Sequence, residues 1–578
     1  MSYILGVSAL YHDAAAALIH DGRIVAAASE ERFSRIKHDA SFPVLATRYC
    51  LQKAGIPVEA IDHVVYYEKP LRKFERILVS QVTHFPRTLQ SFRRATFNWL
   101  TDKLWVRANL SAALGVRPET LLFCDHHLSH AASAFYCANT PNAAILTVDG
   151  VGEWATTSLY RGGPGGIELL SELQFPHSIG LVYSAFTAYL GFAVNDGEYK
   201  VMGMAPYGEP RFEDAVRKVL RLRDDGSVDV DLRYVSYHYS ATDSFTGALE
   251  DLLGPARFPG SPFDPQSAEG RRFADIAASI QKVTEDALVG LAKALHRQVS
   301  TDTLCLAGGV ALNSVANRHI LQRGPFQRLF VQPAAGDAGG AIGAALWAHR
   351  EVLGQPLPAD VGLRPDLGAA YPDEAIGELL GDLKVRHEVL DDDQLVARAA
   401  ADIAAGQVIG WVQGGFEWGP RALGHRSILA NPADPAMKER VNQRIKFREL
   451  FRPFAPSVTV EAAGTYFDLP PGGEQPLDWM LMVTPVHEAH RDTLSAVTHV
   501  DGSARVQTVR AETSPLYHRL LQAVGQRTGH PVALNTSFNL KGEPIVSSPV
   551  AALATFTRSG LDALYLGRYR VEKEEAHG

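Results

Sequence analysis

The N-terminal residues alternate apolar runs with turn signals in a pattern that predicts consecutive strands. YILGVSA begins at residue 3, AAALIHD at 15 and RIVAAAS at 23, with Asp21-Gly22 between the last two runs. Asp-Gly between two apolar runs is a strong β-hairpin signal. A similar opening spans residues 143–163, where an apolar strand ends at Asp149-Gly150 and ATTSLYRG returns. The pattern predicts a duplicated α/β module that binds a nucleotide in the cleft between its halves.

Prolines and glycines concentrate between residues 354 and 383, which indicates a linker. Residues 1–353 then form the predicted first domain and residues 384–578 the second. In the second domain, QVIGWVQGG and HPVALNTSFN predict buried strands of another α/β unit.

An insertion at about residues 69–107 mixes basic and aromatic residues. The spacing of Phe92, Trp99 and Trp105 predicts amphipathic helices with an aromatic inner face and a basic outer face. Such helices suit a substrate lid or a subunit contact. A nucleic-acid surface is the alternative, and we consider it less well supported.

Composition and charge exclude several classes of protein. The 578 residues include 56 Lys and Arg against 64 Asp and Glu, a net charge of −8, so we expect neither nucleic acid nor membrane as a partner. The four cysteines lie far apart, which disfavours a disulfide framework and a thiolate zinc site. With no basic N-terminal region and no run of roughly 20 apolar residues, we expect a cytoplasmic location.

A histidine pair provides the sharpest chemical signal. His126 and His130 lie four residues apart in a segment predicted to be helical, so both imidazoles can reach one metal ion. Asp149 ends an apolar strand and Asp337 lies in a glycine-rich turn, and both can complete the site. Two histidines with two carboxylates favour Fe(II), Mn(II) or another divalent ion over structural zinc. For each aspartate the alternative is a solvated loop acid near a helix cap.

Two glycine loops form a second candidate site. Gly308 and Gly309 follow an apolar strand, with Asn313 near the next helix, and Gly336 precedes a helix of small residues. Backbone N–H groups in such loops can bind phosphate, although neither loop matches the Walker pattern. Tight turns and close helix packing are an equally good explanation for either loop.

The charge balance reverses locally between residues 421 and 452. Eight Lys or Arg against three Asp or Glu give this stretch a charge of +5, which predicts a pocket for phosphates. The candidate donors are the cations of FEWGPRALGHR and IKFRELFRPFAP, together with Arg505, Asn535 and Ser537 from other segments. For Arg440 and Arg444 we favour an exposed helix face.

Ordered motifs along nearly the whole chain resemble the carbamoyltransferases of the NodU and CmcH type. They include SEERFSRIKH, HHLSHA, TVDGVGE, AGGVALN and AGDAGGAIGAA, then GFEWGPRALGHRSILANP, FRPFAP, RVQTV and LNTSFNLKGEPIV. The resemblance implies an actin-like (ASKHA) first domain, similar to the threonylcarbamoyl-transferase enzymes, and a YrdC-like second domain.

The resemblance also implies a reaction with two sites. Carbamoyl phosphate and ATP, with Mg²⁺, would give carbamoyl adenylate in the second domain. The residues that match the family's phosphate-binding and nucleotide-binding positions there are Arg421, Lys446, Arg452, Arg505, Asn535 and Ser537. An Fe(II) ion held by the two histidines and two aspartates would then fix the adenylate phosphate, and a hydroxyl of a natural product such as an antibiotic would take the carbamoyl group. A homodimer is compatible with a chain of this kind.

His12, beside Asp13, is our candidate for the general base, because the ordinary pKa of histidine is near neutrality. A role as hydrogen-bond donor only is equally open. Lys37, in the matching SEERFSRIKH segment, is predicted to contact a nucleotide phosphate.

Three alternative functions follow from related proteins. HypF shares the adenylate chemistry but donates to a thiol, and it carries extra N-terminal segments that this chain has no room for. A tRNA-modifying enzyme would call for a broad basic face. An actin-like nucleotide switch without carbamoyl transfer would leave the basic cluster of the second domain unexplained.

Overall fold

The computed structural model describes residues 2–89, 92, 105–240 and 242–573. The chain divides into two compact units. Unit 1 comprises Met1–Glu30 with Ala40–Leu363, and unit 2 comprises Glu31–Asp39 with Arg364–Gly578. The main boundary between the two units lies between Leu363 and Arg364, inside the proline-rich segment 354–383.

Residues 31–39 differ from the predicted domain assignment, because the structure groups them with unit 2. They include the short helix α1 (Glu31–Ser34). The Arg32 guanidinium donates to the Gly419 carbonyl at 2.8 Å, and Arg35 donates to the carbonyls of Pro544 and Ile545. These partners lie about 400 to 500 residues away in sequence, so no local pattern could indicate them.

The first sheet of unit 1 has the strand order β3-β2-β1-β4-β5. Its strands are β1 (Tyr3–Ser8), β2 (Ala15–His20), β3 (Arg23–Ser29), β4 (His63–Tyr66) and β5 (Leu121–Phe123). The first three strands form an antiparallel meander, whereas β4 is parallel to β1 and β5 is parallel to β4. Asp21 and Gly22 both have positive φ in the turn, as a two-residue hairpin requires.

The second sheet of unit 1 repeats this order as β8-β7-β6-β11-β12. Its strands are β6 (Ala143–Val148), β7 (Ala155–Gly163), β8 (Gly166–Gln174), β11 (Thr303–Ala307) and β12 (Arg328–Val331). Again an antiparallel meander precedes two strands parallel to the first of them. The predicted duplication is therefore confirmed. A separate two-stranded ribbon joins β9 (Leu220–Leu222) to β10 (Val228–Val230).

The helices of unit 1 lie between and beside these strands. They are α2 (Val44–Ala54), α3 (Pro70–Thr83), α4 (Val106–Leu114), α5 (His126–Phe135), α6 (Ile179–Tyr189), α7 (Glu198–Met204), α8 (Glu213–Val219), α9 (Gly247–Leu253), α10 (Ala268–Gln298), α11 (Ser314–Arg323) and α12 (Asp337–Trp347). Among the described residues, no helix is both long and apolar enough to cross a membrane.

The aromatic inner face and basic outer face predicted for the insertion are wrong in the part of it that the structure describes. Residues 90–91 and 93–104, including Trp99, lie outside the described residues. Helix α3 buries Lys73 and Arg76 and exposes apolar residues such as Leu71. Lys73 Nζ lies 2.6 Å from a Glu68 carboxylate oxygen, and Arg76 donates to the Gly152 carbonyl at 2.9 Å. Trp105 is also exposed. These polar partners, rather than the helical period, decide which side of α3 is buried.

Unit 2 contains a mixed sheet with the order β13-β22-β21-β14-β15-β20-β16-β19. These strands are β13 (His387–Val389), β14 (Ile409–Val412), β15 (Arg426–Ala430), β16 (Ala455–Thr459), β19 (Gln507–Val509), β20 (Val532–Ser537), β21 (Ala563–Leu566) and β22 (Tyr569–Glu572), and a ribbon joins β17 (Val483–Pro485) to β18 (Ser503–Arg505). The two strands predicted from QVIGWVQGG and HPVALNTSFN are β14 and β20, and both are largely buried.

Helices complete unit 2. They are α13 (Asp373–Asp382), α14 (Asp392–Ala404), α15 (Met437–Val441), α16 (Val460–Tyr466), α17 (Glu474–Asp478), α18 (Pro515–Thr528) and α19 (Pro549–Arg558). Helices α14 and α18 contribute Leu395 and Leu520 to the core beneath Trp411. A mixed α/β architecture is confirmed in both units. The actin-like and YrdC-like names for them stay predictions.

Candidate metal centre and anion pocket

The four predicted metal ligands of unit 1 converge on one point. His126 Nε2 lies 2.9 Å from Asp149 Oδ2 and 3.7 Å from Asp337 Oδ1. His130 Nε2 lies 3.7 Å from the same Asp149 oxygen and 3.6 Å from the same Asp337 oxygen. The two Nε2 atoms are 3.2 Å apart. The set therefore places two imidazole nitrogens and two carboxylate oxygens around a small common space.

Three elements bring these ligands together. His126 and His130 lie one turn apart on α5, Asp149 follows the buried strand β6, and Asp337 is the first residue of α12. Helices α5 and α12 pack backbone to backbone: a Cβ added to Gly343 would lie 1.8 Å from the Ser129 carbonyl oxygen. The glycines and alanines of α12 thus bring Asp337 close to the histidines.

The chemistry of this set fits a divalent transition metal. Ligands held about 2.1 Å from such an ion lie roughly 3.0–3.4 Å from one another in octahedral or tetrahedral geometry, close to the separations above. His126, His130 and Asp337 are almost fully buried. Within the described residues, the Nδ1 atoms of the two histidines have no hydrogen-bond partner. A buried set of two histidines and two carboxylates without a thiolate matches the donors that Fe(II) and Mn(II) accept.

The electrostatics of the cluster favour ionised carboxylates. Burial tends to raise the pKa of Asp149, but hydrogen bonds from His126 and His130 hold it well below its ordinary value. Burial likewise opposes a low pKa for Asp337, which the nearby histidines nevertheless lower. Both aspartates are therefore available as anionic ligands near neutral pH.

His127, between the two ligands in sequence, points away from the cluster. Its Nδ1 lies 2.8 Å from Thr147 Oγ1, and burial lowers its pKa to about 3.

His12 lies near the cluster with its Nδ1 2.9 Å from Asp13 Oδ2. Burial lowers its pKa, but Asp13 and then Asp337 raise it, and the balance is a pKa of about 9. An imidazole with that pKa is protonated at pH 7. As long as Asp149 and Asp337 keep their full charge, this protonation supports a role for His12 as hydrogen-bond donor rather than as general base.

One of the two glycine loops contacts the ligand cluster directly. Gly308 has a φ of +93°, and a Cβ there would lie 2.2 Å from the Val148 carbonyl oxygen. The Gly309 N–H donates to Asp149 Oδ1 at 3.0 Å and so orients that carboxylate. Asn313 caps α11 through Ala316, and Gly336 precedes α12. Tight turns and close packing explain Gly308 and Gly309, and nucleotide binding by the four residues stays a prediction.

Unit 2 holds a cluster of cations in which Lys446 is buried and the arginines around it are half-buried. Lys446 Nζ donates to Asn539 Oδ1 at 2.8 Å and to the Ser537 carbonyl. Burial lowers the pKa of Lys446, and the charges of Arg448 and Arg452 lower it further. Buried like charges raise the free energy of the unit unless an anion joins them.

Arg505 belongs to the same cluster. Burial lowers its pKa well below the ordinary value, and neighbouring arginines add to the shift. Those neighbours are Arg421, Arg448 and Arg452. In the described part of unit 2, the buried Nε of Arg505 has no hydrogen-bond partner. Glu449 lies 3.6 Å from Arg452 and offsets one of the positive charges. The Nε donor of Arg505 and the remaining excess of positive charge together suit phosphate groups.

The remaining residues predicted for unit 2 have distinct positions. Asn535 is buried and donates to Ala422, Ser457 and Gln507. Ser537, on the same strand as Asn535, contacts Lys446. Arg444 is exposed, as predicted. Arg440 is half-buried instead, because it donates to the Gly406 carbonyl at 2.7 Å and pairs with Asp562 at 3.0 Å. Lys37 lies in the 31–39 segment, which belongs to unit 2 rather than to the unit of the metal cluster.

Some residues that contribute here have weak sequence signals. Arg448 lies two positions from Lys446 in the basic stretch, and that spacing alone could have indicated it. Tyr67 donates to Asp337 Oδ2 at 3.5 Å, and its ring contacts that of His126 edge to face. Nothing in the local pattern around Tyr67 indicates that contact.

Comparison with known proteins gives matches over nearly the whole chain. Residues 3–346 match the family described as Carbamoyltransferase N-terminus, and residues 400–573 match Carbamoyltransferase C-terminus. An uncharacterized protein of Synechocystis is 44% identical, with 99% of this chain and 97% of that protein covered. Nodulation protein NolNO of Sinorhizobium fredii is 40% identical over 98% of this chain and 79% of its own. The 3'-hydroxymethylcephem-O-carbamoyltransferase of Streptomyces clavuligerus is 34% identical over 59% of this chain and 61% of its own.

Proposed function

The chain belongs to the carbamoyltransferase family and is an enzyme of carbamoyl transfer, and from that premise we propose that it activates the carbamoyl group as an adenylate before transfer. Unit 2 would form carbamoyl adenylate from carbamoyl phosphate and ATP, and unit 1 would transfer the carbamoyl group to a hydroxyl. The observation that carries the proposal is the cation cluster of unit 2, in which the buried Lys446 and the half-buried Arg505 lie with further arginines.

The first step needs strong cationic binding. A water molecule attacks carbamoyl phosphate and takes its phosphoryl group, so the bond to the carbamoyl oxygen breaks and gives inorganic phosphate and carbamate. A carbamate oxygen then attacks the α-phosphorus of ATP while the bond to pyrophosphate breaks. Two phosphorylated substrates bring roughly six negative charges, and fixed arginines stabilise the charge of the departing pyrophosphate. Arg421, Arg452 and Arg505 would hold phosphates, with Lys446 fixed by Ser537 and Asn539 beside them. Mg²⁺ would accompany ATP.

The second step takes place at the metal cluster of unit 1. The acceptor oxygen attacks the carbamoyl carbon, the bond from that carbon to the phosphate oxygen breaks, and AMP leaves with the electron pair. A divalent ion such as Fe(II), bound by His126, His130, Asp149 and Asp337, would stabilise the charge on the departing phosphate. His12 would hydrogen-bond the reacting groups and, once the neighbouring carboxylates are neutralised, would be able to take the acceptor proton.

We propose a hydroxyl of a secondary metabolite as the acceptor. The support is the similarity to the cephem O-carbamoyltransferase, whose name specifies a hydroxymethyl acceptor. An antibiotic-tailoring role is consistent with it.

Two variants test the proposal by separating its steps. We expect Arg452→Ala to stop the release of pyrophosphate that requires both ATP and carbamoyl phosphate, because it removes a phosphate-binding cation. We expect His130→Ala to leave that release intact but to abolish formation of carbamoylated product. Arg444→Ala, which changes an exposed arginine of the same segment, is the matched control and should behave like the wild type.

Several outcomes would contradict the proposal. Slow hydrolysis of ATP to ADP at a rate that does not depend on carbamoyl phosphate would indicate a nucleotide switch instead. Normal carbamoyl transfer by both Arg452→Ala and His130→Ala would show that the assigned sites are wrong.

A further inference from the structure

Helix α5, which carries both histidine ligands, lacks a cap from its own chain segment. Asp125 occupies the N-cap position, but its side chain makes no capping hydrogen bond. Its carboxylate instead contacts Lys69 Nζ at 2.6 Å and the Arg72 guanidinium at 3.3 Å. The first N–H groups of a helix need acceptors when they are buried, so the cap of α5 must come from elsewhere.

The carboxylate of Glu153 supplies it. The backbone N–H of His126 donates to both carboxylate oxygens of Glu153, at 3.1 and 3.2 Å. The Lys69 N–H also donates to Glu153 Oε1, at 2.7 Å. Glu153 is almost fully buried, and a negative charge at a helix N-terminus is additionally stabilised by the helix dipole.

The same loop also carries a metal ligand. Asp149 and Glu153 lie four residues apart between β6 and β7, and between them Gly152 packs against the His126 ring, where an added Cβ would lie 2.9 Å from Cδ2. Arg76 donates to the Gly152 carbonyl and so holds the loop in place. One short segment thus contributes to the cluster in two ways. It supplies the ligand Asp149, and through Glu153 it binds the backbone of the ligand His126.

We propose that Glu153 is a positioning residue for the metal centre: its carboxylate fixes the first turn of α5 and thereby the position of His126 relative to Asp149. The inference rests on the proposed metal site. It differs from a purely stabilising role, because it requires the loss of Glu153 to weaken metal binding and not only folding. Groups that orient the ligands of a metal typically change its affinity by about 10–100-fold.

Unit 1 contains a matched control. Glu30 caps helix α2 in the same manner, accepting from the N–H groups of Leu45 at 3.0 Å and Ala46 at 2.8 Å. It is equally buried and also comes from a distant segment. Glu30→Ala therefore removes an equivalent buried cap from a helix that carries no proposed ligand.

The experiment measures Co(II) binding to the metal-free full-length protein, by titration and by the visible absorption of the bound ion. We expect Glu153→Ala to raise the dissociation constant by about 10–100-fold, and Glu153→Gln by a smaller factor, because an amide oxygen still accepts one N–H. Glu30→Ala should lower thermal stability to a similar extent and leave the dissociation constant within about twofold of wild type.

Each outcome decides a separate point. If Glu153→Ala and Glu153→Gln bind Co(II) as tightly as wild type while His130→Ala does not, the positioning role is wrong and the metal site stands. If Glu153→Ala and Glu30→Ala weaken binding equally, Glu153 contributes only general stability and the inference fails. If wild type itself binds no Co(II), the metal site of the proposed function fails and the inference with it. Should Glu153→Ala not fold, the Glu153→Gln titration decides.

Discussion

At the scale of single residues, the metal centre combines local and distant determinants. The spacing of His126 and His130 is local, so a helical period was enough to predict both ligands. Asp149 could be predicted because a carboxylate at the end of a buried strand is fixed at the sheet edge. The cap by Glu153 could not be predicted, because it joins a loop to a helix that begins 27 residues earlier.

His12 gives a pH-dependent prediction for the metal-free protein. Its pKa is about 9 in the folded state, against about 6.5 for an unperturbed histidine. The stabilisation is therefore complete below pH 6.5 and is lost as the pH rises through 9. We expect the contribution of His12 to the unfolding free energy of unit 1 to fall over this range by up to about 3 kcal/mol, and His12→Gln to remove that contribution. Burial lowers the pKa of His130, but Asp149 and Asp337 raise it to about 9, so His12→Gln should keep the pH dependence that comes from His130.

Urea unfolding at pH 6 and pH 9, with and without metal, checks this. A divalent ion neutralises Asp149 and Asp337, which are among the groups that raise the pKa of His12, so it should also reduce the dependence. An equal pH dependence in wild type and His12→Gln would contradict the assignment.

At the scale of elements, close packing of α12 against α5 positions Asp337. A side chain at Gly343 would collide with the Ser129 backbone, so we expect Gly343→Ala to destabilise unit 1 by about 3 kcal/mol or more. We also expect it to weaken Co(II) binding, since the two helices carry three of the four ligands.

Gly290→Ala is the control for this change. Gly290 also lies within a helix of unit 1, but an added Cβ would meet only Gly226 Cα, at 3.8 Å. We expect stabilisation of about 0.5–1 kcal/mol from the better helix propensity of alanine. Thermal unfolding of both variants checks the pair, and a tolerated Gly343→Ala would show that the helices can separate without loss.

The elements themselves were largely predictable where their signals are local. The Asp21-Gly22 turn and the apolar runs around it indicate a meander, and the same signals at residues 143–163 indicate its repeat. The buried face of α3 was not predictable, because Glu68 and the Gly152 carbonyl draw Lys73 and Arg76 inward against the apolar pattern. A cationic side chain with hydrogen-bond partners can be buried at a position that the helical period alone would place in solvent.

At the scale of the whole molecule, each unit carries its own candidate site. We expect calorimetry to resolve separate unfolding transitions for the two units, because each buries its own sheets and helices. Co(II) at about 100 times its dissociation constant should stabilise the unit 1 transition by roughly 2.7 kcal/mol, and pyrophosphate should stabilise that of unit 2. Arg452→Ala should remove only the pyrophosphate effect. Stabilisation of a single joint transition by either compound would contradict this assignment.

The placement of residues 31–39 in unit 2 has a consequence for biosynthesis. A ribosome extends the chain by roughly 5–20 residues per second, so this segment emerges on the order of half a minute or more before Pro544 and Ile545, which accept its hydrogen bonds, are made. Unit 2 therefore cannot be completed until the nascent polypeptide is nearly finished. A gene fragment that starts at residue 364 lacks one of its own pieces, and supplying that piece as a separate peptide is the direct remedy.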